Sequence, residues 1–269
     1  MEAKRVLFVA QEITPYLPAS PISSLCRALP QAIQERGKEI RTFMPKFGAV
    51  NDRRNQLHEV IRLSGMNLVI SDVDHPLTIK VASIQSARMQ VYFIDNEDLF
   101  KRKGDVCSET GETYDDNDER SIFYVRGTLE TIKKLRWIPD LVHCHGWFAS
   151  LTPLYLRRMY VNDPCLHAAR IVYSVYDNPF DTPLSPHLTD KLLADHACKE
   201  DLTELVKRAD FIAINKLAID FSDAVVQGSK HIHPELADYI QASGKPFLPY
   251  QDTEDPFDAY DNLYEQLLA

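Results

Sequence analysis

Glycine is scarce in this sequence, at 9 of 269 residues, which is about half of the usual share of ~7%. So few glycines leave little scope for loops whose bare backbone presses against a phosphate. Neither a Walker loop nor a GxGxxG loop occurs. The five cysteines are scattered, odd in number and without a CxxC pair, which argues against a disulfide framework and a zinc-ribbon site. We therefore expect no cofactor and no metal.

Blocks of positive charge and long apolar runs are also lacking. The formal net charge is −9, and the most basic stretch is FKRKG at 100–104, so no nucleic-acid partner is expected. No segment approaches the roughly 18 apolar residues of a transmembrane helix. The N-terminus runs into a strand without the apolar stretch of a signal peptide. These features predict a cytoplasmic protein with no membrane partner.

Apolar segments and helical segments alternate along the chain. A buried strand is predicted at 4–12, a helix at 23–37 and a second strand at 38–45, which is the order of a βαβ unit. Short alternating segments between 57 and 96 predict antiparallel hairpins. Alternation resumes after residue 110. The sequence predicts an α/β fold, with a single Rossmann-like doubly wound, mostly parallel sheet and an antiparallel hairpin insertion.

The second half of the chain supplies the remaining elements. Strands are predicted at 139–146, 169–177 and 223–229, and helices at 116–137, 147–160, 188–209 and 233–242. Segment 210–222 fits both a strand and a helix. Ligands of doubly wound sheets bind outside the carboxyl ends of the strands. For this chain those ends are Gln11-Glu12, His145-Gly146 and Tyr176-Asp177-Asn178.

Several blocks occur in an order that is typical of one enzyme family. They include RVLFVAQEITPYLP, RALPQAIQERGKEIRTFMPKFG, VYFIDNEDLF, ETYDDNDERSIFYVRGTLE, WIPDLVHCHGWFASLTPLYLR and RIVYSVYDNPF. In this series, over about residues 4–245, the chain resembles the N-terminal domain of bacterial-type glycogen and starch synthases, which are retaining glycosyltransferases of the two-domain GT-B architecture. The resemblance implies a Rossmann-like domain at 1–245 and a tail with a short helix at 246–269, with the second GT-B domain absent.

The family transfers glucose from a nucleotide sugar, usually ADP-glucose, to an α-1,4-glucan, but the first loop here departs from its pattern. The K-x-G-G-L loop aligns with PASPI, so the Lys position is Pro18 and the two Gly positions are Ser20 and Pro21. Pro21 has no N–H to donate, and Pro18 lacks the charge that would stabilise a departing diphosphate. We expect this degenerate loop to cap the next helix through Ser20, Ser23 and Ser24 rather than to hold a phosphate.

Ten residues are candidates for binding a sugar, and no catalytic residue is assigned. They are Glu12, Glu112, Tyr114, Asp116, Asn117, His145, Trp147, Tyr176, Asp177 and Asn178. Segment 112–117 matches the family's E-x-Y-x-D-N block on the acceptor side of the cleft, although its acids also suit a solvated helix N-terminus. The family's H-D-W-H block is HGWF here, and the His of its Y-T-I-H-N strand is Tyr176. Segment 176–180 fits sugar binding and an ordinary Asp-Asn-Pro turn equally.

Histidines form two further patterns. His143 and His145 lie on one face of a strand, which suits a metal site lacking an evident third ligand, or an inward, hydrogen-bonded His143. Cys144 between them is expected to be a buried, inert thiol. The segment HIHPE at 231–235 is expected to begin a helix, with capping and surface roles.

Three functions follow from these observations. The first is a glycogen/starch-synthase-like protein of glucan metabolism that contains the acceptor-side domain alone. It would lack independent glucosyl transfer, and would bind an α-glucan or act as a regulatory, partner-binding protein. The second is an active ADP-glucose glucosyltransferase completed by a second chain. The third is a protein-interaction module with no sugar ligand. Candidate partners are therefore an α-glucan, a second protein chain or a homo-oligomer.

Overall fold

The computed structural model describes residues 3–253 and 255–269. Within these residues the strands are β1 (Arg5–Ala10), β2 (Glu39–Pro45), β3 (His58–Glu59), β4 (Met66–Ile70), β5 (Val73–Ile84), β6 (Met89–Asp95), β7 (Leu141–His145), β8 (Arg170–Val175), β9 (Ala224–Gln227) and β10 (Phe247–Leu248). The α-helices are α1 (Pro21–Glu35), α2 (Glu97–Phe100), α3 (Asn117–Leu135), α4 (Thr152–Arg157), α5 (Leu188–Ala194), α6 (Thr203–Lys207), α7 (Phe211–Phe221), α8 (Pro234–Ser243) and α9 (Phe257–Leu268).

The strands form a sheet in the order β10-β9-β8-β7-β1-β2-β6-β5-β3, with β4 paired to β5. All pairs from β10 to β6 are parallel, whereas β5 pairs antiparallel with β6, β3 and β4. All five residues of β7 and the last five of β1 are buried, as expected for central parallel strands covered on both faces. The predicted α/β class, with its mostly parallel sheet and antiparallel insertion, is confirmed.

Two predicted helices are wrong in their extent. Segment 147–160 is a 3-10 turn at Trp147–Ala149 followed by α4, because Pro153 has no N–H to donate to the preceding turn. Segment 188–209 is divided into α5, a 3-10 turn at Lys199–Leu202 and α6. The left-handed backbone of His196, with φ +70°, ends the first of these pieces.

Two other segments are clarified by local hydrogen bonds. The ambiguous segment 210–222 contains helix α7, because the Asp210 side chain accepts a hydrogen bond from the Ala213 N–H at 2.9 Å and caps it. The strand expected after residue 57 is limited to β3. The Leu63 N–H donates to the Val60 carbonyl at 2.9 Å, and this turn ends the pairing with β5. No helix among the described residues is long and apolar enough to span a membrane.

The C-terminal segment is integrated into the fold. Strand β10 extends the sheet beside β9, and α9 packs against α1. The Lys38 ammonium lies 2.7 Å from the Asp261 carboxylate and 2.5 Å from that of Glu265. The Tyr264 hydroxyl shares a hydrogen bond of 2.5 Å with Nδ1 of the buried His143. Helix α9 therefore covers the face of the sheet on which His143 lies.

Candidate functional site

Three strand ends meet at the carboxyl edge of the sheet, as the sequence predicts. The Gln11 N–H donates to the His145 carbonyl at 3.1 Å. The Gln11 side-chain carbonyl accepts from the Phe148 N–H at 3.1 Å and from the Asn178 amide at 3.5 Å. Gln11 therefore joins the ends of β1, β7 and β8, although it was not among the candidate sugar-binding residues.

Glu12 is the acidic group of this edge. Its carboxylate accepts a hydrogen bond from the Ser20 hydroxyl at 2.7 Å and another from the Gln11 amide at 3.2 Å. Burial raises the pKa of Glu12, and the charge of Asp105 adds to the rise, although the two hydrogen bonds oppose it. The site thus holds a half-buried carboxyl group close to the start of α1.

The degenerate loop is a helix cap. The Ser23 N–H donates to the Ser20 hydroxyl at 3.0 Å, and the Ser20 N–H donates to the Ser23 hydroxyl at 2.8 Å, which is a reciprocal capping box. Pro21 occupies the first helical position, which suits proline, and the Pro18 carbonyl accepts from the Ser23 hydroxyl at 2.9 Å. The capping expected of Ser20 and Ser23 is confirmed, whereas Ser24 takes part through its backbone N–H.

His145 lies inside the protein. Its exposed fraction is 0%, and its Nδ1 shares a hydrogen bond of 2.8 Å with the Tyr176 hydroxyl. Its Nε2 is buried without a hydrogen-bond partner among the described residues. Burial lowers the pKa of His145 to about 3, so the imidazole is neutral at physiological pH. Tyr176 is also buried, and its ring lies so close to Gly228 that a Cβ there would be 2.4 Å away.

Trp147 is likewise covered by neighbouring side chains. Its exposed fraction is 2%, and its ring centroid lies 4.6 Å from that of Phe180 and 5.4 Å from that of Phe148. Gly146 precedes it with φ +84°, and a Cβ there would lie 2.7 Å from Gln11 Oε1. A side chain at this position, where the family has Asp, would have to displace the Gln11 side chain.

Asp177 and Asn178 are the more accessible residues of the β8 end. Asp177 is exposed and Asn178 is half-buried. The Asp177 N–H donates to the Ser229 hydroxyl at 3.0 Å, which ties this turn to the end of β9. Asn178 Oδ1 is buried and has no hydrogen-bond partner within the described residues.

The acidic block at 112–117 forms a separate group. The Asn117 amide donates to the Val106 carbonyl at 2.8 Å, and Asp116 pairs with Arg102 at 2.6 Å. The Tyr114 ring lies 4.2 Å from the Arg102 guanidinium, whereas Glu112 is exposed. These contacts organise the loop between α2 and α3 rather than joining the strand ends. Asp105, in the same loop, interacts electrostatically with the strand ends, since its charge helps to raise the pKa of Glu12.

Arg120 was missed by the sequence reasoning. Its side chain is fully buried and donates to the carbonyls of Leu99 and Asp105, both at 2.8 Å, and to the Asn117 side chain at 2.6 Å. Burial lowers its pKa to about 10. The sequence signal was an arginine one turn into α3, three residues after Asn117, but nothing in that spacing separates it from a surface residue.

The histidine patterns have structural roles. His143 is buried, and its Nε2 shares a hydrogen bond of 2.7 Å with Ser174, so the inward, hydrogen-bonded orientation is confirmed. Cys144 is also buried, as expected. Among the described residues, no group of three or more His, Cys, Asp or Glu side chains is arranged to hold a metal. The His233 ring accepts from the Glu235 N–H at 3.3 Å, which confirms the expected capping of α8.

The fold and this edge define one Rossmann-like half of a GT-B protein. A family model described as the starch synthase catalytic domain matches residues 5–245, and the chain belongs to this family. The resemblance stated from the sequence is confirmed.

Individual relatives show how much of a synthase the chain covers. It is 33% identical over 242 residues to a glycogen synthase of Chlorobium phaeobacteroides, covering 90% of this chain and 48% of that protein. It is 38% identical over 176 residues to a glycogen synthase of Chlorobium limicola, covering 64% of this chain and 36% of that protein. The catalytic domain of starch synthase IV from Arabidopsis thaliana, bound to ADP and acarbose, has the same fold, with a TM-score of 0.74 and 18% sequence identity. The match covers 95% of this chain and 52% of that one. The chain thus spans about half the length of the curated relatives it matches.

Proposed function

We propose that this chain is an acceptor-side, synthase-like domain that binds α-glucan and does not transfer glucose by itself. The observation that carries the proposal is the contact between Ser20 and Glu12 at the start of α1. A helix N-terminus attracts an anion through its free N–H groups and its dipole. Here the serines of the capping box and the Glu12 carboxyl already use that position.

The loop chemistry supports the loss of diphosphate binding. The Ser23 N–H is engaged by Ser20, and Pro21 has none to offer. A second anion beside the Glu12 carboxylate would also meet like-charge repulsion in a partly buried site. A transferase that could not stabilise the departing diphosphate would be slowed about tenfold for each ~1.4 kcal/mol of transition-state stabilisation that it lacks.

The glucan part of the proposal rests on the accessible polar groups and on the family. Glu12, Asp177 and Asn178 present carboxyl and amide groups beside the meeting point of the strand ends, and such groups pair well with sugar hydroxyls. The relatives named above are glycogen synthases. Since the contacts of segment 112–117 remain local, we place the glucan at the β1 and β8 ends.

Co-sedimentation with glycogen and calorimetric titration with maltohexaose test this function. Wild type should sediment with glycogen, and Asn178→Ala should weaken binding about tenfold through the loss of an amide at the site. Asn262→Ala, an exposed asparagine on α9, is the matched control and should bind as wild type does. No glucan binding by wild type would overturn the proposal and favour the interaction module, with which the burial of Trp147 and His145 also agrees.

The second candidate is a transferase that is completed by another polypeptide, and it rests on the match of residues 5–245 to a starch synthase catalytic domain. Its expected signature is glucosyl transfer from ADP-glucose only when the chain is mixed with a second Rossmann-domain protein that co-purifies with it. A lone monomer or homodimer from the native lysate would argue against this candidate.

A further inference from the structure

A cavity lies beside the degenerate loop, where the C-terminal segment passes over the end of β9. Its volume is about 240 Å³, and it is lined by Pro21, Leu25, Gly228, Tyr250, Gln251, Thr253, Pro256, Phe257 and Tyr260. Most of the wall comes from residues after position 245, where the match to the synthase family ends. Most of the wall thus lies outside the part of the chain that the family model matches, at the edge of the sheet where doubly wound folds bind ligands.

The wall combines aromatic rings with unused polar groups. Tyr250, Phe257 and Tyr260 supply the rings. The hydroxyls of Tyr250, Thr253 and Tyr260 make no hydrogen bond to any other described residue. The Gln251 amide N–H donates to the Pro249 carbonyl at 2.7 Å, which leaves its carbonyl oxygen as an acceptor. Tyr250 and Thr253 are exposed, so their hydroxyls meet water and can exchange it for the hydroxyl groups of a ligand.

The described wall of the cavity is uncharged. None of the described lining residues is a Lys, Arg, His, Asp or Glu. The adjacent Lys230 is paired with Asp252 at 2.8 Å. Burial raises the pKa of Tyr260 well above its usual value, so its hydroxyl stays neutral and keeps its proton.

The volume of the cavity matches a small ligand. Pockets for drug-sized molecules occupy roughly 300–1,000 Å³, and a cavity of about 240 Å³ suits a single ring with its hydroxyl groups. Flat aromatic side chains present apolar faces to such a ring, while hydroxyl and amide groups around them give orientation.

We propose that this cavity binds one neutral pyranose unit, as the point at which an α-glucan chain is held against the C-terminal segment. The inference rests on the proposed glucan function but adds a separate site, since none of its residues is among the ten sugar-binding candidates. Rings of Tyr250 and Phe257 would pack on the sugar faces, and Gln251 and Thr253 would bind its hydroxyls.

Binding of methyl α-glucoside, observed by saturation-transfer NMR and titrated by calorimetry, tests the site. Tyr250→Ala and Gln251→Ala should each weaken binding about tenfold or more. The matched controls are Phe247→Ala and Gln241→Ala, which line a different cavity of about 440 Å³ between β9, α8 and β10. Both controls should bind the glucoside as wild type does, and melting temperatures verify that all four variants fold.

Each outcome separates this site from the proposed function. Glucoside binding that Tyr250→Ala and Gln251→Ala leave unchanged would overturn the site. Glycogen binding without glucoside binding would also overturn the site, but the proposed glucan function would stand. Cavity-dependent glucoside binding without glycogen binding would keep the pyranose site but overturn both its role in holding a glucan chain and the glucan function. Tighter binding of adenosine than of the glucoside, lost in the same variants, would also overturn the pyranose assignment.

Discussion

The Ser20 hydroxyl donates a hydrogen bond to the Glu12 carboxylate at 2.7 Å while accepting one from the Ser23 N–H at 3.0 Å. One side chain therefore caps α1 and partners the acid at the end of β1. Loss of the cap should destabilise the protein, because an N-cap serine is worth about 1 kcal/mol. We expect Ser20→Ala to lower the free energy of unfolding in urea by at least that amount.

Ser24→Ala is the matched control for this prediction. Ser24 lies on the same helix, is exposed, and contributes its backbone N–H to the first turn. Its replacement should leave the free energy of unfolding within about 0.5 kcal/mol of wild type. Equal effects of the two substitutions would show that the capping box does not stabilise the loop.

The buried carboxyl of Glu12 should make stability depend on pH. Because burial raises the pKa of Glu12 above its ordinary value of 4.5, the folded state binds a proton more tightly than the unfolded chain does. The favourable contribution is present below about pH 4.5 and is lost as the pH rises through the folded-state pKa. Urea denaturation at pH 7 and pH 4 should show wild type gaining stability relative to Glu12→Gln as the pH falls. A constant difference between the two proteins would contradict this.

His145 should act in the opposite direction. Its pKa is lowered by burial to about 3, whereas an unfolded histidine titrates near ~6.5. The stabilising contribution is therefore complete above about pH 6.5 and is lost as the pH falls toward the folded-state value, by about 2 kcal/mol at pH 5. Denaturation experiments at pH 7 and pH 5 should show that acidification lowers the free energy of unfolding less in His145→Gln than in wild type. An identical decrease in the two proteins would refute the buried, neutral imidazole.

Gly146 should not tolerate a side chain. It has φ +84°, and a Cβ would lie 2.7 Å from Gln11 Oε1, whereas Gly244 has φ +66° with no atom within 4 Å. Gly146→Ala should cost more than the ~1–2 kcal/mol of a left-handed residue, because φ +84° with ψ 160° is a backbone region essentially confined to glycine and because Gln11 must also move. Gly244→Ala, the control, should cost the backbone term alone. Thermal unfolding compares the two, and an equal cost would mean that neither the backbone of Gly146 nor the contact with Gln11 opposes a side chain there.

Local patterns in the sequence predicted much of this architecture. The βαβ start, the hairpin insertion, the central strands and the capping by Ser20 and Ser23 all depend on periodicity or on residues a few positions apart. The helix breaks near Trp147 and His196 were missed, because apolar spacing continues across a turn that a proline or a left-handed residue interrupts.

The parts of the site that could not be predicted depend on contacts distant in sequence. Gln11 is tied to Asn178 across 167 positions, and Trp147 is covered by Phe180. Glu12 and Ser20 are only eight positions apart, yet the loop between them has no regular period from which to infer the contact. The packing of α9 over His143 through Tyr264 could not be predicted, because the sequence indicated only a short helix in the tail.

The central claim is that this chain binds glucan without transferring glucose on its own. The most direct measurement is the incorporation of label from radiolabelled ADP-glucose into glycogen by the purified chain. The Pro18→Lys, Ser20→Gly, Pro21→Gly triple variant is assayed beside wild type. We expect background incorporation from both, since the variant restores the loop residues but retains the Glu12 carboxyl close to the start of α1. Robust turnover by wild type, or by the triple variant, would contradict the claim.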